Sequence, residues 1–276
     1  MKIVAFVDSS LYAHSVIDHT IWLALERRAS VELVHIVSPN EVAASNIAPI
    51  HPGGAVLLER DDTLNAKLAE LERQGRERLE QAHRALNQAG VNDVQVRLCE
   101  GHTAQTMVQA TQSASIAIVG KRGEHADLAR LPLGANLERL VRGSKVPVLA
   151  VSRSFRPIRR ALAPVDAEAA TSPALEVLAG GLLPATPIEL LHVGDASEAA
   201  RLHLDQAAAK LAGAGFASSA RIEAGAPNVV IPQRVVLDDI DMLAVTAFGS
   251  SRLKSMLLGS LTSELLRACQ VPVLLC

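Results

Sequence analysis

The sequence predicts an α/β protein made of two tandem, open, doubly wound parallel-sheet domains, each with five strands and about four helices. Three observations predict it. The chain repeats itself in order, and short runs rich in Val, Ile and Leu alternate with longer amphipathic stretches. Its 276 residues also suit two domains of roughly 100–200 residues each.

The repeat runs through five blocks. IVAFVD at 3–8 has its counterpart in ALAPVD at 161–166, and VELVHIV at 31–37 in IELLHVG at 188–194. VQVRLCEG at 94–101 matches SSARIEAG at 218–225, and SIAIVGKRG at 115–123 matches DMLAVTAFG at 241–249. LGANLERLVRGSKVPVLAV at 133–151 matches LGSLTSELLRACQVPVLLC at 258–276. Two homologous domains, 1–152 and 157–276, follow, joined where polar and basic residues and a proline interrupt the pattern.

Each apolar block reads as a strand buried on both faces of a parallel sheet. The stretch 12–28 places Val16, Ile17, Thr20, Ile21, Ala24 and Leu25 on one helical stripe, with Asp8, Ser9 and Ser10 as N-cap candidates before it. Residues 61–89 form a long charged amphipathic helix pattern that Gly90 would close, its charged face solvated and carrying i,i+4 pairs. Residues 103–113 and 134–142 give two further helices. Residues 39–58 form a Pro- and Gly-bearing loop, a candidate lid or disordered segment.

Composition excludes several functions. Apolar residues make up 49% and charged residues 20%, which supports packed cores and argues against disorder. A net charge of −2 gives no electrostatic case for binding nucleic acid or an anionic membrane, and 2% aromatics give no base-stacking platform. Cys99, Cys269 and Cys276 are too scattered for a disulfide framework or a zinc site, so a reducing, cytoplasmic home is expected. The opening run breaks at Asp8, which speaks against a signal peptide or membrane span, and no apolar stretch reaches about 18 residues.

In an open parallel sheet, ligands bind beyond the carboxyl ends of the strands at the topological switch point. Two glycine segments fall there. The first reads Gly120-Lys121-Arg122-Gly123, ten residues, then Gly134-Ala135-Asn136. The second reads Thr246-Ala247-Phe248-Gly249, nine residues, then Gly259-Ser260-Leu261-Thr262. Such glycines let backbone N–H groups approach a phosphate, and the following helix N-terminus adds free donors and partial positive charge. The competing reading makes them turn residues, as Gly213 and Gly215 are at a helix end. Neither the P-loop pattern, nor GxGxxG after a strand, nor GxSxG is present. His35 and His192, at matching strand ends, read as half-buried structural histidines, and His14 and His19 share no helical face for a metal.

With these segments in matching contexts, the chain resembles a tandem member of the universal stress protein family over nearly its whole length, twice. The family's nucleotide-binding members carry G-x-x-G, nine residues, then G followed by Ser or Thr, with an acidic residue after the first strand. The resemblance implies ATP or another adenine nucleotide, with or without Mg²⁺, at the sheet's carboxyl edge. By position, Asp166 and the backbone of Val193 would meet adenine and ribose. Thr246, Gly249, Gly259, Ser260 and Leu261 would line the phosphates, with Thr262 nearby. The matching positions of the first half are Asp8, Ile36, Gly120, Gly123, Gly134 and Ala135.

Both halves depart from the pattern. In the first, Ala135 replaces the hydroxyl residue, a loss of about 1.5–3 kcal/mol that Lys121, Arg122 or Asn136 would have to offset. In the second, Thr246 replaces a glycine, costing about 1–3 kcal/mol if the position needs positive φ and less if it needs only a small residue. The second half keeps the nine-residue spacing and the Gly-Ser pair and is the favoured site. The resemblance further implies antiparallel pairing of the closing strands, 146–151 and 271–276. The halves would then pack as a pseudo-two-fold intramolecular dimer; association of whole chains is left open. The leading expectation is a stress-response nucleotide sensor or regulator acting with a protein partner. The alternatives are a degenerate, nucleotide-free interaction protein, or a slow ATPase, because the sequence displays no dedicated catalytic base.

Overall fold

The computed structural model describes residues 1–38, 61–123, 135–166, 172–247 and 259–276. The first half runs β1 (Lys2–Phe6), α1 (Ala13–Arg27), β2 (Ser30–Val37), α2 (Asp61–Gln88), β3 (Val94–Glu100), α3 (Thr103–Ala110), β4 (Ile116–Gly120), α4 (Ala135–Gly143) and β5 (Val148–Val151). The second half runs β6 (Ala161–Pro164), α5 (Pro173–Ala179), β7 (Ile188–Val193), α6 (Glu198–Gly213), β8 (Ser218–Glu223), α7 (Pro227–Leu237), β9 (Met242–Val245), α8 (Ser260–Ala268) and β10 (Val273–Leu275).

All ten strands form one sheet in the order β3-β2-β1-β4-β5-β10-β9-β6-β7-β8. Pairing is parallel within each half. It is antiparallel at the single join, where Leu274 lies opposite Leu149, with Val273 opposite Ala150 and Leu275 opposite Val148. Leu149 and Leu274 are equivalent residues of the repeat, so a pseudo-two-fold axis passes between them. The expected intramolecular dimer is thus one continuous sheet.

Alternate strand residues feed the two faces. Ile3, Ala5, Leu33 and Ile118 enter one apolar cluster, and Val4, Phe6, Val34 and Ala117 the other. With helices over both faces, both sets of side chains are buried, which explains the uninterrupted apolar runs. The outermost strands β3 and β8 depart from that expectation: several of their residues are exposed, Val96 at 48%. Charged and polar positions suit these open sheet edges, where unpaired backbone groups would otherwise recruit other chains.

Two local expectations need adjusting. Asp8, Ser9 and Ser10 do not cap α1. The N-cap is Tyr12, with no side-chain capping bond. The Asp8 carboxylate instead accepts from the Ser10 backbone N–H at 3.0 Å and from the Ser10 hydroxyl at 2.6 Å, forming its own turn. Helix α2 ends at Gln88, and Gly90 follows at φ +93°, a left-handed stop as read from the sequence. The solvated face of α2 carries the expected pairs, with Arg73 between Glu70 and Glu77 and Arg76 beside Glu72. The candidate lid at 39–58 lies outside the described residues.

The connection between the halves is pinned. Ile158 is buried, and the backbone N–H groups of Arg159 and Arg160 donate to Asp241 at 2.9 and 3.1 Å. Phe155 stands edge-on to the ring of His19, centroids 4.8 Å apart. His19 is fully buried on α1, with Nδ1 against the Ser15 carbonyl at 2.7 Å and Nε2 without a partner. Burial pushes its pKa down to about 4, partly opposed by the Ser15 bond.

Two outcomes follow. Leu149→Ala and Leu274→Ala should each cost about 2–5 kcal/mol, because each empties a fully buried site. The double variant should lose less than the sum, since the two side chains share one cavity; urea denaturation checks both. For His19, the depressed pKa means that the unfolded chain takes up a proton first. Its stabilising contribution is complete above about pH 6.5 and falls by up to ~1.4 kcal/mol per pH unit down to about pH 4. His19→Phe should flatten that part of the pH–stability curve.

Candidate functional site

The strand order reverses between β1 and β4 in the first half and between β6 and β9 in the second. Their carboxyl ends therefore open a crevice at each reversal. Asp8 and Gly120 stand at one, Asp166 and Thr246 at the other. Ile36, next to last in β2, and Val193, the last residue of β7, are both half-buried in the neighbouring strands. The register carries the repeat through: Ile36 lies beside Cys99 and Val193 beside Glu223.

A duplicated histidine holds each crevice. His35 Nδ1 donates to the Val7 carbonyl at 2.7 Å, and His192 Nδ1 donates to the Val165 carbonyl at 3.0 Å. Val7 and Val165 immediately precede Asp8 and Asp166, so each ring fixes the turn that presents the acid. Both histidines are buried, as expected of structural residues. The His35 ring has room because residue 75 of α2 is glycine: a Cβ there would lie 2.5 Å from Cδ2 of His35 and 2.9 Å from Leu98.

In the first half, Asp8 meets Gly123. One carboxylate oxygen serves Ser10, and the other lies 3.5 Å from where a Gly123 Cβ would stand. Gly120 is a close-approach glycine, since its Cβ would fall 2.6 Å from that of Tyr12. Lys121 takes no part in the crevice. Its side chain crosses to the second half, where Nζ donates to the Cys269 carbonyl at the C-terminus of α8, at 2.7 Å. The expected compensation for Ala135 from Lys121 is therefore not what its geometry provides.

In the second half, the Thr262 hydroxyl donates to the Thr246 carbonyl at 3.4 Å, and the Gly259 N–H donates to the Ala247 carbonyl at 3.5 Å. These bonds draw Thr246, Gly259 and Thr262 together, with Ser260 and Leu261 exposed at the start of α8. Thr246 is not at positive φ; among the described non-glycine residues only Arg28 and Asp239 are. It carries no left-handed strain, which settles the question its sequence position raised. Gly259 likewise has a negative φ, −51°, with ψ 140°, and among the described residues a Cβ on it would meet nothing closer than 3.5 Å. Among the described residues, neither a turn nor packing demands glycine at 259. The glycine N-cap offers no side chain to the first N–H groups of α8. Gly249 and Gly134 lie outside the described residues. Asp166 is exposed and already engaged in an interaction.

Sequence reasoning missed a duplicated ion cluster at the opposite end of the strands. Buried Glu32 lies 2.6 Å from both Lys2 and Arg97, and buried Glu189 lies 3.2 Å from Arg221 and 4.0 Å from Arg160. The signal was available, because Lys2 aligns with Arg160, Glu32 with Glu189 and Arg97 with Arg221. No group of three or more His, Cys, Asp or Glu positioned to hold a metal occurs among the described residues. Nor is any described helix long and apolar enough to cross a membrane.

Comparison with known proteins agrees with this architecture. The model of the universal stress protein family matches residues 1–152 and again 154–276. Universal stress protein Slr1230 of Synechocystis sp. is 28% identical over 284 residues, covering 99% of this chain and 98% of that protein. A universal stress protein from Archaeoglobus fulgidus superposes with a TM-score of 0.72 at 18% identity, covering 100% of this chain and 97% of its own. A functionally unknown protein, PA1789, from Pseudomonas aeruginosa gives 0.63 at 15% identity, covering 99% and 91%. These two likenesses speak to the fold.

Gly75→Ala tests the packing behind the first crevice. The helix gains about 1 kcal/mol of propensity, but overpacking against a tethered ring costs about 1–3 kcal/mol. The expected result is net destabilisation in urea, with the His35 imidazole resonances displaced in NMR spectra.

Proposed function

The chain belongs to the universal stress protein family, and from that premise we propose that it binds ATP or another adenine nucleotide at the carboxyl edge of its sheet. It serves as a stress-response sensor or regulator rather than as a fast catalyst. The assignment divides the chain into domains 1–152 and 157–276 and places the working site in the second. There Asp166 and the Val193 backbone face adenine and ribose. Thr246, Gly249, Gly259, Ser260 and Leu261 surround the phosphates, with Thr262 bracing Thr246. Asp8, Ile36, Gly120, Gly123 and Gly134 form the weaker counterpart of the first half.

The observation that supports this reading is the start of α8. Among the described residues, nothing in conformation or packing requires Gly259 to be glycine, and it gives no side-chain cap to the helix whose N-terminus it forms at a switch point. The physical use left for it is room for an anion against N–H donors. Ser260 adds a hydroxyl there. Mg²⁺ binds mainly through phosphates and water and would arrive with the nucleotide. The free thiols of Cys99, Cys269 and Cys276 suit a reducing, cytoplasmic setting.

Chromatography of small molecules released on denaturation should yield a single adenine nucleotide per chain. Gly259→Val should abolish nucleotide binding in calorimetry while leaving the urea midpoint nearly unchanged, and Ser260→Ala should weaken binding about tenfold. Undiminished affinity in Gly259→Val would refute the assignment. The second reading, a nucleotide-free interaction protein, draws on Ala135 standing where a hydroxyl residue is expected; it predicts no release and no uptake of added ATP.

A further inference from the structure

A cleft of about 850 Å³ opens at the seam between the two halves, next to the first-half crevice and bordered by Tyr12. One wall is the end of β5 and the connection after it, and the other is the C-terminal parts of α7 and α8. Lys121, Arg122, Arg153, Arg156 and Arg267 line it, against Asp239 as the one carboxylate among the lining residues. This excess of positive charge sits on a chain whose net charge is −2.

Two buried polar groups in the cleft lack what burial normally requires. Lys121 is 6% exposed, and its ammonium has a single neutral acceptor, the Cys269 carbonyl. A buried ammonium without a counter-ion is costly, and its pKa is accordingly pushed down to about 8 by burial. Ser152 is 8% exposed, and its hydroxyl has no hydrogen-bond partner. Above them, Arg153 is exposed and pairs with no carboxylate among the described residues, while Arg156 is loosely held at 3.4 Å from Asp239. An anion entering here supplies the missing counter-charge to Lys121 and an acceptor to Ser152.

The duplication did not produce this cleft. Lys121 and Arg122 align with Ala247 and Phe248, so the basic floor exists on one side of the pseudo-two-fold axis alone. On the α7 side the lining is apolar, through Pro232, Val235 and Ile240. We propose that this seam cleft is a second ligand site, for a small organic phosphate whose phosphoryl oxygens take the Lys121 ammonium, the Ser152 hydroxyl and the Arg153 guanidinium while its apolar part lies on α7. A lining that offers guanidinium forks, an ammonium and a hydroxyl has donors enough for the several oxygens of a phosphate dianion. The concave volume falls in the range of small-molecule sites rather than of flat protein interfaces.

Tyr12 lines the cleft and also packs on Gly120, so occupancy bears on the first-half crevice. The probe is inorganic tripolyphosphate, titrated calorimetrically into the full chain at two salt concentrations, with citrate and an oligoglutamate peptide as competing anions. One tripolyphosphate should bind. Arg153→Glu and Lys121→Met should each weaken it at least about tenfold, while Gly259→Val leaves it intact. Arg153 is exposed, so its variant stays folded even if Lys121→Met does not, and melting curves confirm this. The proposal fails if wild type binds no tripolyphosphate, or if Arg153→Glu binds it normally. It fails equally if citrate or oligoglutamate binds as tightly. Loss of binding in Gly259→Val would assign the phosphate to the α8 crevice instead.

Discussion

The antiparallel pairing of β5 with β10 is the constraint on which the rest depends. A five-stranded open sheet has two exposed edges, and each half brings one of them to the axis between Leu149 and Leu274. Joining them turns two small sheets into one of ten strands. The edges left over, β3 and β8, are the ones whose sequences carry charge and polar residues.

From that join the rest of the geometry follows. Strand order fixes where each sheet reverses, and the reversal opens the two crevices. The histidines at the ends of β2 and β7 then hold the carbonyl one residue before each aspartate. A single such bond contributes about 1 kcal/mol net, so its importance is positional: it sets the turn that aims the acid. At the other end of the strands, Glu32 and Glu189 are buried with cations on either side. A buried carboxylate of this kind is destabilising without partners, which accounts for the whole trio recurring in both copies.

The halves have since diverged where chemistry is local. Ser260 and Ala135 occupy the same place in the repeat, as do Thr246 and Gly120. Gly120 is enforced by Tyr12, whose sequence counterpart is Ala170, whereas the backbone at Thr246 is open to any L residue. Lys121 and Ala247 differ most in consequence. The lysine spans the seam to the C-terminal end of α8, where a positive charge is favourable to the helix dipole, and leaves a basic cleft on that side.

The sequence by itself determined the duplication and the alternation of strand and helix, while the pairing of the closing strands was implied by the family resemblance. It also marked the acid and glycine positions after the strands, because each rests on a pattern of adjacent or periodically spaced residues. The structural role of His35 and His192 was legible for the same reason: two matching positions, each at the end of an apolar run. Tertiary structure alone decided which groups meet across long separations. Asp8 to Ser10 could be read as a helix cap, yet the carboxylate finds closer donors in its own turn. Lys121 reads as a phosphate ligand beside Gly120, yet it lies 148 residues from the carbonyl it contacts. Gly75 looks like an ordinary helix residue until His35 arrives beneath it. Such contacts depend on where the chain's separate segments are brought side by side, and residue order encodes that only through the packing of the whole sheet.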